Sequence, residues 1–185
     1  MNVYDFDNTI LRGDSTALFF FWSLRHRPRM WLDLPAQALN GLLFVLKKRE
    51  KQVFKQRMLA FLRFHPDPAK AVEAFWKENA SRIKPWYRRQ HREDDIVISA
   101  SPEFLIRPMC RSLGIRTVLG SPVDPRTGHF SGLNCHGEEK VRRLHEVRPD
   151  AAIDAFYSDS LSDAPLARLA GRAYLVKGDD LTEWP

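Results

Sequence analysis

Two carboxylates lie two residues apart near the start of the 185-residue chain. Asp5 and Asp7 follow a short apolar run that is typical of a buried strand, and the residues after them are typical of a turn. In open α/β sheets, ligands bind at this end of a strand. One carboxylate could attack an electrophile or bind a metal while the other transfers a proton to a leaving group. Because like charges this close repel each other, Mg²⁺ is an expected counter-charge, and an acidic turn without chemistry is the alternative.

Further polar groups follow predicted strands or begin predicted helices. Ser99 ends a β-branched run and, with the backbone N–H of Ala100, could contact a phosphate group. Lys140 lies early in a predicted helix, where its ammonium could reach an anion at the edge of the sheet. Asp159 and Asp163 follow another apolar run, and Asp163 could instead cap the next helix. Taken singly, each of these residues has an ordinary structural explanation.

Strands and helices alternate in the second half of the chain, and they would position these groups. The pattern predicts strands at 95–99, 117–119, 153–157 and 173–176, helices at 103–113, 138–147 and 162–170, and a small hairpin at 123–133. Such alternation is typical of a three-layer α/β body with a largely parallel sheet. We therefore expect the polar groups to converge on the carboxyl edge of one sheet.

The region between the first strand and residue 93 is helical in pattern and basic. Helices are predicted at 16–27, 53–64, 69–83 and 85–91. From Arg12 to Arg92 there are 18 Lys and Arg against 6 Asp and Glu, net +12, whereas the rest of the chain has 11 against 17, net −6. Positive charge attracts phosphate-bearing partners, although solvated helix faces would also explain it. The histidines of this region lack metal-ligand spacing and are interpreted as surface or capping residues: His26, His65 and His91.

The segment from Met30 to Leu46 is apolar but interrupted. A bilayer-spanning helix needs about 20 predominantly apolar residues, which this segment does not supply. It could lie on a membrane surface, or form two helices that bury their apolar side chains against each other or against the body. The apolar side chains are Trp31, Leu34, Leu42, Leu43, Phe44 and Leu46, and the flanking basic residues are Arg25, Arg27, Arg29 and Lys47 to Lys51.

Composition indicates a folded protein in a reducing compartment. Hydrophobic residues make up 44% of the chain and charged residues 28%, which is typical of a globular domain. Cys110 and Cys135 form no CxxC pair, which favours a cytoplasmic location, and we interpret Cys135 as a packing residue. The acidic motif begins within five residues of Met1, so no signal peptide is expected.

The four motifs together resemble those of the haloacid dehalogenase-like (HAD) hydrolases, most of which are Mg²⁺-dependent phosphatases. Asp5-Phe6-Asp7-Asn8-Thr9 is similar to the first family motif, Ser99 to the second, Lys140 to the third and Asp159-x-x-x-Asp163 to the fourth, in the family's order. The resemblance implies an α/β fold with a three-layer Rossmann-like HAD core and a mainly parallel sheet. It places the core in residues 1–12 and 93–185 and an inserted α-helical cap in residues 13–92.

The resemblance also implies a role for each motif residue. Asp5 would be the nucleophile that forms an aspartyl-phosphate, and Asp7 the acid and base. Mg²⁺ would be held by the Asp5 carboxylate, the backbone carbonyl of Asp7 and Asp159, with Asp163 supporting the metal site. The groups implied to bind the substrate phosphate are Ser99, Ala100 and Lys140.

Two branches of the family are similar to this chain. The helical insertion and Ile98-Ser99-Ala100-Ser101-Pro102 resemble the phosphoserine phosphatase branch, in which Asp14 would take the position of a glutamate that binds the substrate amine. Gly137-Glu138-Glu139-Lys140-Val141 and Tyr157-Ser158-Asp159-Ser160 resemble phosphatidylglycerophosphatase C, a membrane-associated relative.

The expected substrate is therefore a phosphomonoester. A lipid-linked phosphate such as phosphatidylglycerophosphate is the first expectation, and a soluble metabolite such as phosphoserine is the alternative. The basic cap would then contact an anionic membrane from its cytoplasmic side. A non-catalytic anion- or nucleic-acid-binding module is the alternative of another class, but such a module has no need of Asp7 beside Asp5, and nucleic acid is not expected as a partner.

Overall fold

A single twisted sheet forms the centre of the molecule. The computed structural model describes residues 1–47 and 51–185, apart from the side chains of residues 51–53 and 55. Within these residues the strands form one sheet in the order β3-β2-β1-β4-β5-β6, parallel throughout except for the antiparallel pair β5 and β6. The strands are β1 (Asn2–Tyr4), β2 (Ile96–Pro102), β3 (Thr117–Ser121), β4 (Ile153–Ser158), β5 (Ala170–Lys177) and β6 (Asp180–Glu183).

Helices occupy both faces of this sheet and the long segment between β1 and β2. The α-helices are α1 (Ser15–His26), α2 (Leu34–Val45), α3 (Lys51–Met58), α4 (Pro68–Asn79), α5 (Pro85–Gln90), α6 (Glu103–Ser112), α7 (Glu138–Val147) and α8 (Ala164–Ala167). Short 3₁₀ helices span Pro28–Asp33, Leu59–Phe64, Ala80–Arg82 and Leu161–Asp163.

Successive side chains of the central strands alternate between the two faces, as strand geometry requires. Val3 belongs to one apolar cluster, with Leu144 of α7 and Leu166 of α8. Tyr4 belongs to the other cluster, which includes Leu105 of α6. Burying each such side chain contributes about 1.5–3 kcal/mol. The predicted three-layer α/β fold with a mainly parallel sheet is confirmed.

The helices before β2 share a core rich in aromatic side chains. Phe19 of α1 packs on Phe75 of α4 with their ring centroids 5.2 Å apart, and Phe6, beside the sheet, packs on Trp76 at 5.9 Å. The insertion and the sheet are thus joined by one continuous apolar cluster. Helix α5 lies within the range predicted for the cap, yet its Tyr87 packs on Tyr4 of β1 at 4.9 Å. The division into core and cap stays a prediction.

His65 occupies a capping position, at the end of the 3₁₀ helix Leu59–Phe64, but it is not a surface residue. His65 is only 2% exposed, and its Nε2 lies 2.8 Å from the Ser23 hydroxyl. Its ring stacks on Phe19, with centroids 5.3 Å apart. Aromatic neighbours and a buried hydrogen-bond partner therefore keep this histidine in the core of the insertion.

The segment from Met30 to Leu46 is partly packed against its neighbours and partly exposed, and its contact with a membrane surface stays a prediction. Phe44 stacks on Phe54 of α3 at 4.3 Å, so part of the segment packs against the next helix. Other side chains are exposed: Trp31, Leu32, Leu39, Leu42, Val45 and Leu46. No helix among the described residues is long and apolar enough to cross a membrane. Of the expected basic flank, Lys48 and Arg49 lie outside the described residues, as does the side chain of Lys51.

Candidate active site

The two acidic residues of the first motif leave the sheet at the carboxyl end of β1. The Asp5 amide donates to the carbonyl of Tyr157 on β4 at 2.9 Å, which fixes Asp5 at the strand end. Phe6–Ile10 then forms a wide turn in which Asp7 is extended and Asn8 adopts φ +54°. The Asn8 amide donates to the carbonyl of Gly13 at 3.0 Å. This turn carries Asp7 away from the strand while leaving it near Asp5.

Lys140 joins the first and last motifs. It lies in the first turn of α7, and its buried ammonium lies 2.7 Å from Asp5 Oδ1 and 2.7 Å from Asp163 Oδ2. The hydroxyl of Ser158 also donates to Asp163 Oδ2 at 2.7 Å. The Asp163 carboxylate is therefore directed at Lys140 and Ser158, and it makes no hydrogen bond that would cap α8. Lys140 thus brings together Asp5 and Asp163, which lie 158 positions apart in the sequence.

Burial and neighbouring charges set the protonation of this group. Burial raises the pKa of Asp5 to about 6, and the charges of Asp163 and Asp159 act in the same direction, while Lys140 opposes them. Burial on its own lowers the pKa of Lys140, but Asp5 and Asp163 raise it above its usual range. At neutral pH the pair is accordingly an ammonium bound to a carboxylate, and the carboxylate is available as a nucleophile.

Asp7 lies in a different hydrogen-bond environment. The Ser15 amide donates to its Oδ1 at 2.7 Å, and the Ser101 hydroxyl donates to its Oδ2. Burial raises the pKa of Asp7 to about 7, and the charges of Asp14 and Asp5 add to the effect. A carboxyl group with this pKa can both hold and release a proton near neutral pH.

Sequence reasoning missed the two serines that hold Asp7. The Ser15 hydroxyl donates to the Ser101 hydroxyl at 3.0 Å, so the start of α1 and the end of β2 meet beside Asp7. Ser101 stands two residues after Ser99, in a string that the sequence analysis already singled out. The spacing alone could have indicated Ser101, whereas Ser15 directly precedes the helix predicted at 16–27 and carries no motif of its own.

Ser99 and Ala100 lie in an irregular end of β2. The strand was expected to stop at Ser99, but it continues to Pro102. Its pairing with β3 shifts between Ile98 and Pro102, so the backbone between them departs from a regular ladder. Ser99 is buried, and its hydroxyl accepts a hydrogen bond from the Ser101 amide at 3.1 Å. Their role in binding phosphate stays a prediction.

Asp159 lies opposite the first motif. Its amide donates to the Thr9 hydroxyl at 2.9 Å, and burial raises the pKa of its carboxyl group. The charge of Asp159 also raises the pKa of Asp5, although it is a weaker cause than burial, Lys140 and Asp163. The described residues contain no cluster of three or more His, Cys, Asp or Glu side chains arranged to hold a metal ion. Two carboxylates and the backbone carbonyl of Asp7 are nevertheless hard oxygen donors, and Mg²⁺ usually takes only one or two protein carboxylates together with water.

A cavity of about 100 Å³ opens beside Asp7. Asp14 lines it and also caps α1, because its Oδ1 accepts a hydrogen bond from the Ala17 amide at 2.8 Å. The other lining residues come from the insertion, the end of β2 and the loop after β3: Thr16, Met58, Leu59, Ala100, Ser101, Pro102 and Phe130.

A family model described as haloacid dehalogenase-like hydrolase matches residues 3–168. The chain belongs to this family. The expectation of a HAD-type hydrolase is therefore confirmed, and the non-catalytic alternative is set aside.

Individual relatives of this HAD hydrolase cover nearly all of its length. It is 29% identical to histidinol-phosphatase of Neisseria meningitidis, over 96% of this chain and 90% of the relative. A crystal structure of a protein of unknown function from Bordetella pertussis Tohama I covers 94% of this chain and 87% of its own, at 20% identity and a TM-score of 0.76. A phosphoserine phosphohydrolase-like protein from Francisella tularensis covers 94% and 86%, at 15% identity and a TM-score of 0.60. At these identities the two structures establish a shared fold.

Proposed function

We propose that this HAD hydrolase is a phosphatase that cleaves phosphomonoesters through an aspartyl-phosphate on Asp5. The proposal rests on the different surroundings of the two carboxylates of the first motif. Asp5 is paired with the Lys140 ammonium at 2.7 Å, whereas Asp7 is held by Ser15 and Ser101 beside a cavity. Hydrolysis through a covalent intermediate needs these two groups, an ionised nucleophile and an acid that titrates near neutral pH.

The reaction would proceed in two steps. In the first, an oxygen of Asp5 forms a bond to phosphorus, the ester P–O bond breaks, and Asp7 gives its proton to the leaving oxygen. In the second, Asp7 takes a proton from a water molecule as the water oxygen attacks phosphorus, which releases inorganic phosphate and restores Asp5. The groups proposed to bind the phosphoryl oxygens are Lys140, the Ser99 hydroxyl and the Ala100 backbone amide.

Mg²⁺ is the proposed cofactor. The Asp5 carboxylate, the Asp7 backbone carbonyl and Asp159 would hold it, and when bound it would neutralise charge on the phosphoryl oxygens. Asp163 would support the site through its hydrogen bond to the Lys140 ammonium. Removal of divalent ions by EDTA is therefore expected to abolish activity, and added Mg²⁺ is expected to restore it.

The substrate we favour is a small phosphomonoester that carries an amine. The cavity beside Asp7 measures about 100 Å³, which suits a compact leaving group, and Asp14 supplies a carboxylate in its wall. The Neisseria relative is named histidinol-phosphatase, and histidinol phosphate is a small ester of an amino alcohol. Phosphoserine fits the same description.

A lipid-linked phosphomonoester is the second candidate. It is favoured by the apolar side chains that α2 leaves exposed, among them Leu39 and Leu42, together with the basic residues of the insertion. The protein would then act in the cytoplasm at the inner face of the membrane. Phosphate release from histidinol phosphate, phosphoserine and phosphatidylglycerophosphate, compared at equal phosphate concentration, distinguishes these candidates.

Asp5→Asn is the decisive variant for the chemistry. It keeps the size of the side chain but removes the nucleophilic charge, so we expect phosphate release from p-nitrophenyl phosphate with Mg²⁺ to fall on the order of 10³-fold or more. Asp150→Asn is the matched control, because Asp150 is exposed and should leave the rate unchanged. Circular dichroism of both variants checks that the fold is intact. Full activity in folded Asp5→Asn would exclude the proposed nucleophile.

A further inference from the structure

The loop between β3 and α7 reaches across to the helical insertion. Its two sides are joined by a bridge between Val123 and Phe130 and by a hydrogen bond from the Asp124 amide to the His129 carbonyl at 2.8 Å. The Asp124 carboxylate also accepts a hydrogen bond from the Thr127 amide at 2.7 Å. These bonds hold the loop in one defined turn, although the sequence pattern predicted a longer hairpin.

A glycine allows this loop to touch the insertion. Gly128 is buried with φ +77°, a conformation that favours glycine. A Cβ atom placed on it would lie 2.4 Å from the carbonyl oxygen of Leu59, well inside van der Waals contact. The backbone of the loop therefore packs directly on the backbone of the insertion, immediately after α3 ends at Met58.

This contact lies at the wall of the cavity beside Asp7. Phe130, two residues after Gly128, lines the cavity from the loop, and Met58 and Leu59 line it from the insertion. Phe130 is half-buried and packs against the main apolar cluster, so its ring is held in place. Aromatic and apolar residues thus line the same cavity as Asp7.

The chemistry assigns a use to that space. A general acid must lie within hydrogen-bond reach of the oxygen it protonates, so the leaving group of the ester must occupy the cavity next to Asp7. Any side chain in the cavity wall then contacts the leaving group and limits its size. The helical insertion supplies one wall of this space, and the opposite wall belongs to a loop of the α/β body.

We infer that Phe130 is a specificity-determining residue that sets the upper size of the leaving group. The inference rests on the proposed phosphatase function and deepens it. The loop acts together with Met58 and Leu59, because the Gly128 contact fixes the distance between the two walls. Substrates whose leaving group exceeds this space are excluded by the ring of Phe130.

Two aryl phosphates of similar chemical reactivity test the inference. Phenyl phosphate and 2-naphthyl phosphate differ mainly in the size of the leaving group, so the ratio of their kcat/KM values reports the space in the pocket. In Phe130→Ala we expect the naphthyl-to-phenyl ratio to rise about tenfold over that of the unaltered protein, since small changes in pocket size alter discrimination by about 10–200-fold. In Phe130→Trp the ratio should fall.

Phe64→Ala is the matched control. Phe64 is also half-buried and packs against the same apolar cluster, but it lines a separate surface groove, so its removal should leave the ratio unchanged. If Phe130→Ala does not fold, Phe130→Leu and Phe130→Trp provide the same test. The inference would be overturned if the unaltered protein hydrolyses both esters and none of the Phe130 variants changes the naphthyl-to-phenyl ratio of kcat/KM. The proposed function would remain intact in that case. Absence of hydrolysis by the unaltered protein would instead remove the proposed function.

Discussion

At the scale of single residues, the carboxylates of the site outnumber its buried ammonium groups. The Lys140 ammonium binds both Asp5 and Asp163. Lys84, which is also buried, is the second cation, and its charge lowers the pKa of Asp159. Three carboxylates and two ammonium groups leave one negative charge uncompensated, which is costly where water is excluded. A divalent cation held by Asp5 and Asp159 would offset this charge, which supports the Mg²⁺ that we propose.

The burial of His65 predicts that the free energy of unfolding depends on pH. Burial lowers its pKa from 6.5 to about 4, and the charges of Arg27 and His26 act in the same direction. Between these two values the unfolded chain binds a proton that the folded chain does not. The contribution of His65 to the free energy of unfolding is therefore fully present above pH 6.5, and it is lost as the pH falls towards 4.

We expect the unfolding free energy of the protein to lose about 1–2 kcal/mol through His65 between pH 7 and pH 4.5. Other groups titrate in the same range, and Asp5 and Asp7 act in the opposite direction because their pKa values are raised. The comparison with His65→Phe isolates the histidine, since this variant cannot titrate. Urea unfolding at both pH values measures the difference. His129→Gln, at an exposed position, is the control, and equal pH dependence in His65→Phe and the unaltered protein would contradict the expectation.

At the scale of elements, most strands and helices followed from periodicity, and the exceptions have physical reasons. β6 was missed because all of its residues are exposed and it lacks an apolar face. Of the helix predicted at 162–170, α8 keeps 4 residues, because the 3₁₀ turn Leu161–Asp163 takes its expected start and β5 already begins at Ala170.

Some residues of the candidate site could be predicted from the sequence, and others could not. Asp5, Lys140 and Asp163 could be placed from the sequence, because parallel strands and the helices beside them bring their ends to one edge. Ser15 and the ring of Phe130 could not, because their positions depend on how the insertion and the loop after β3 pack against the sheet. Tertiary packing of this kind leaves no periodic signal in the sequence.

The contact between Gly128 and Leu59 gives a prediction at this scale. Gly128→Ala should lower the unfolding free energy by about 2–4 kcal/mol, because it combines an unfavourable backbone conformation with a steric clash against backbone. Gly114→Ala is the matched control: Gly114 has φ +82°, but an added Cβ would meet nothing within 4 Å. We expect it to cost only about 1 kcal/mol. Urea unfolding measures both variants, and equal losses would show that the loop and the insertion are not in close contact.

At the scale of the whole molecule, charge and exposed apolar surface occur in the same region. The segment from Arg12 to Arg92 carries 18 basic against 6 acidic residues, whereas the rest of the chain is net acidic. Within that segment, α2 and the turn before it leave several large apolar side chains exposed, with Leu32 86% exposed and Val45 75% exposed. Exposed basic residues stand nearby, among them Arg27, Arg29 and Lys47. Apolar area flanked by positive charge is the combination that binds anionic membrane surfaces.

The proposed membrane contact predicts that the protein sediments with phosphatidylglycerol vesicles at low salt, but not with phosphatidylcholine vesicles. Leu39→Gln/Leu42→Gln should weaken this binding about tenfold or more, because it removes apolar area that would enter the headgroup region. Both side chains are more than half exposed, so the fold should tolerate the change. Leu161→Gln/Leu169→Gln, which alters exposed leucines of the α/β body, is the control and should bind like the unaltered protein. If the unaltered protein and the control variant both fail to bind at low salt, the lipid-linked substrate loses its support. The small amine-bearing ester then remains as the candidate substrate, since the cavity beside Asp7 that would bind it does not depend on α2.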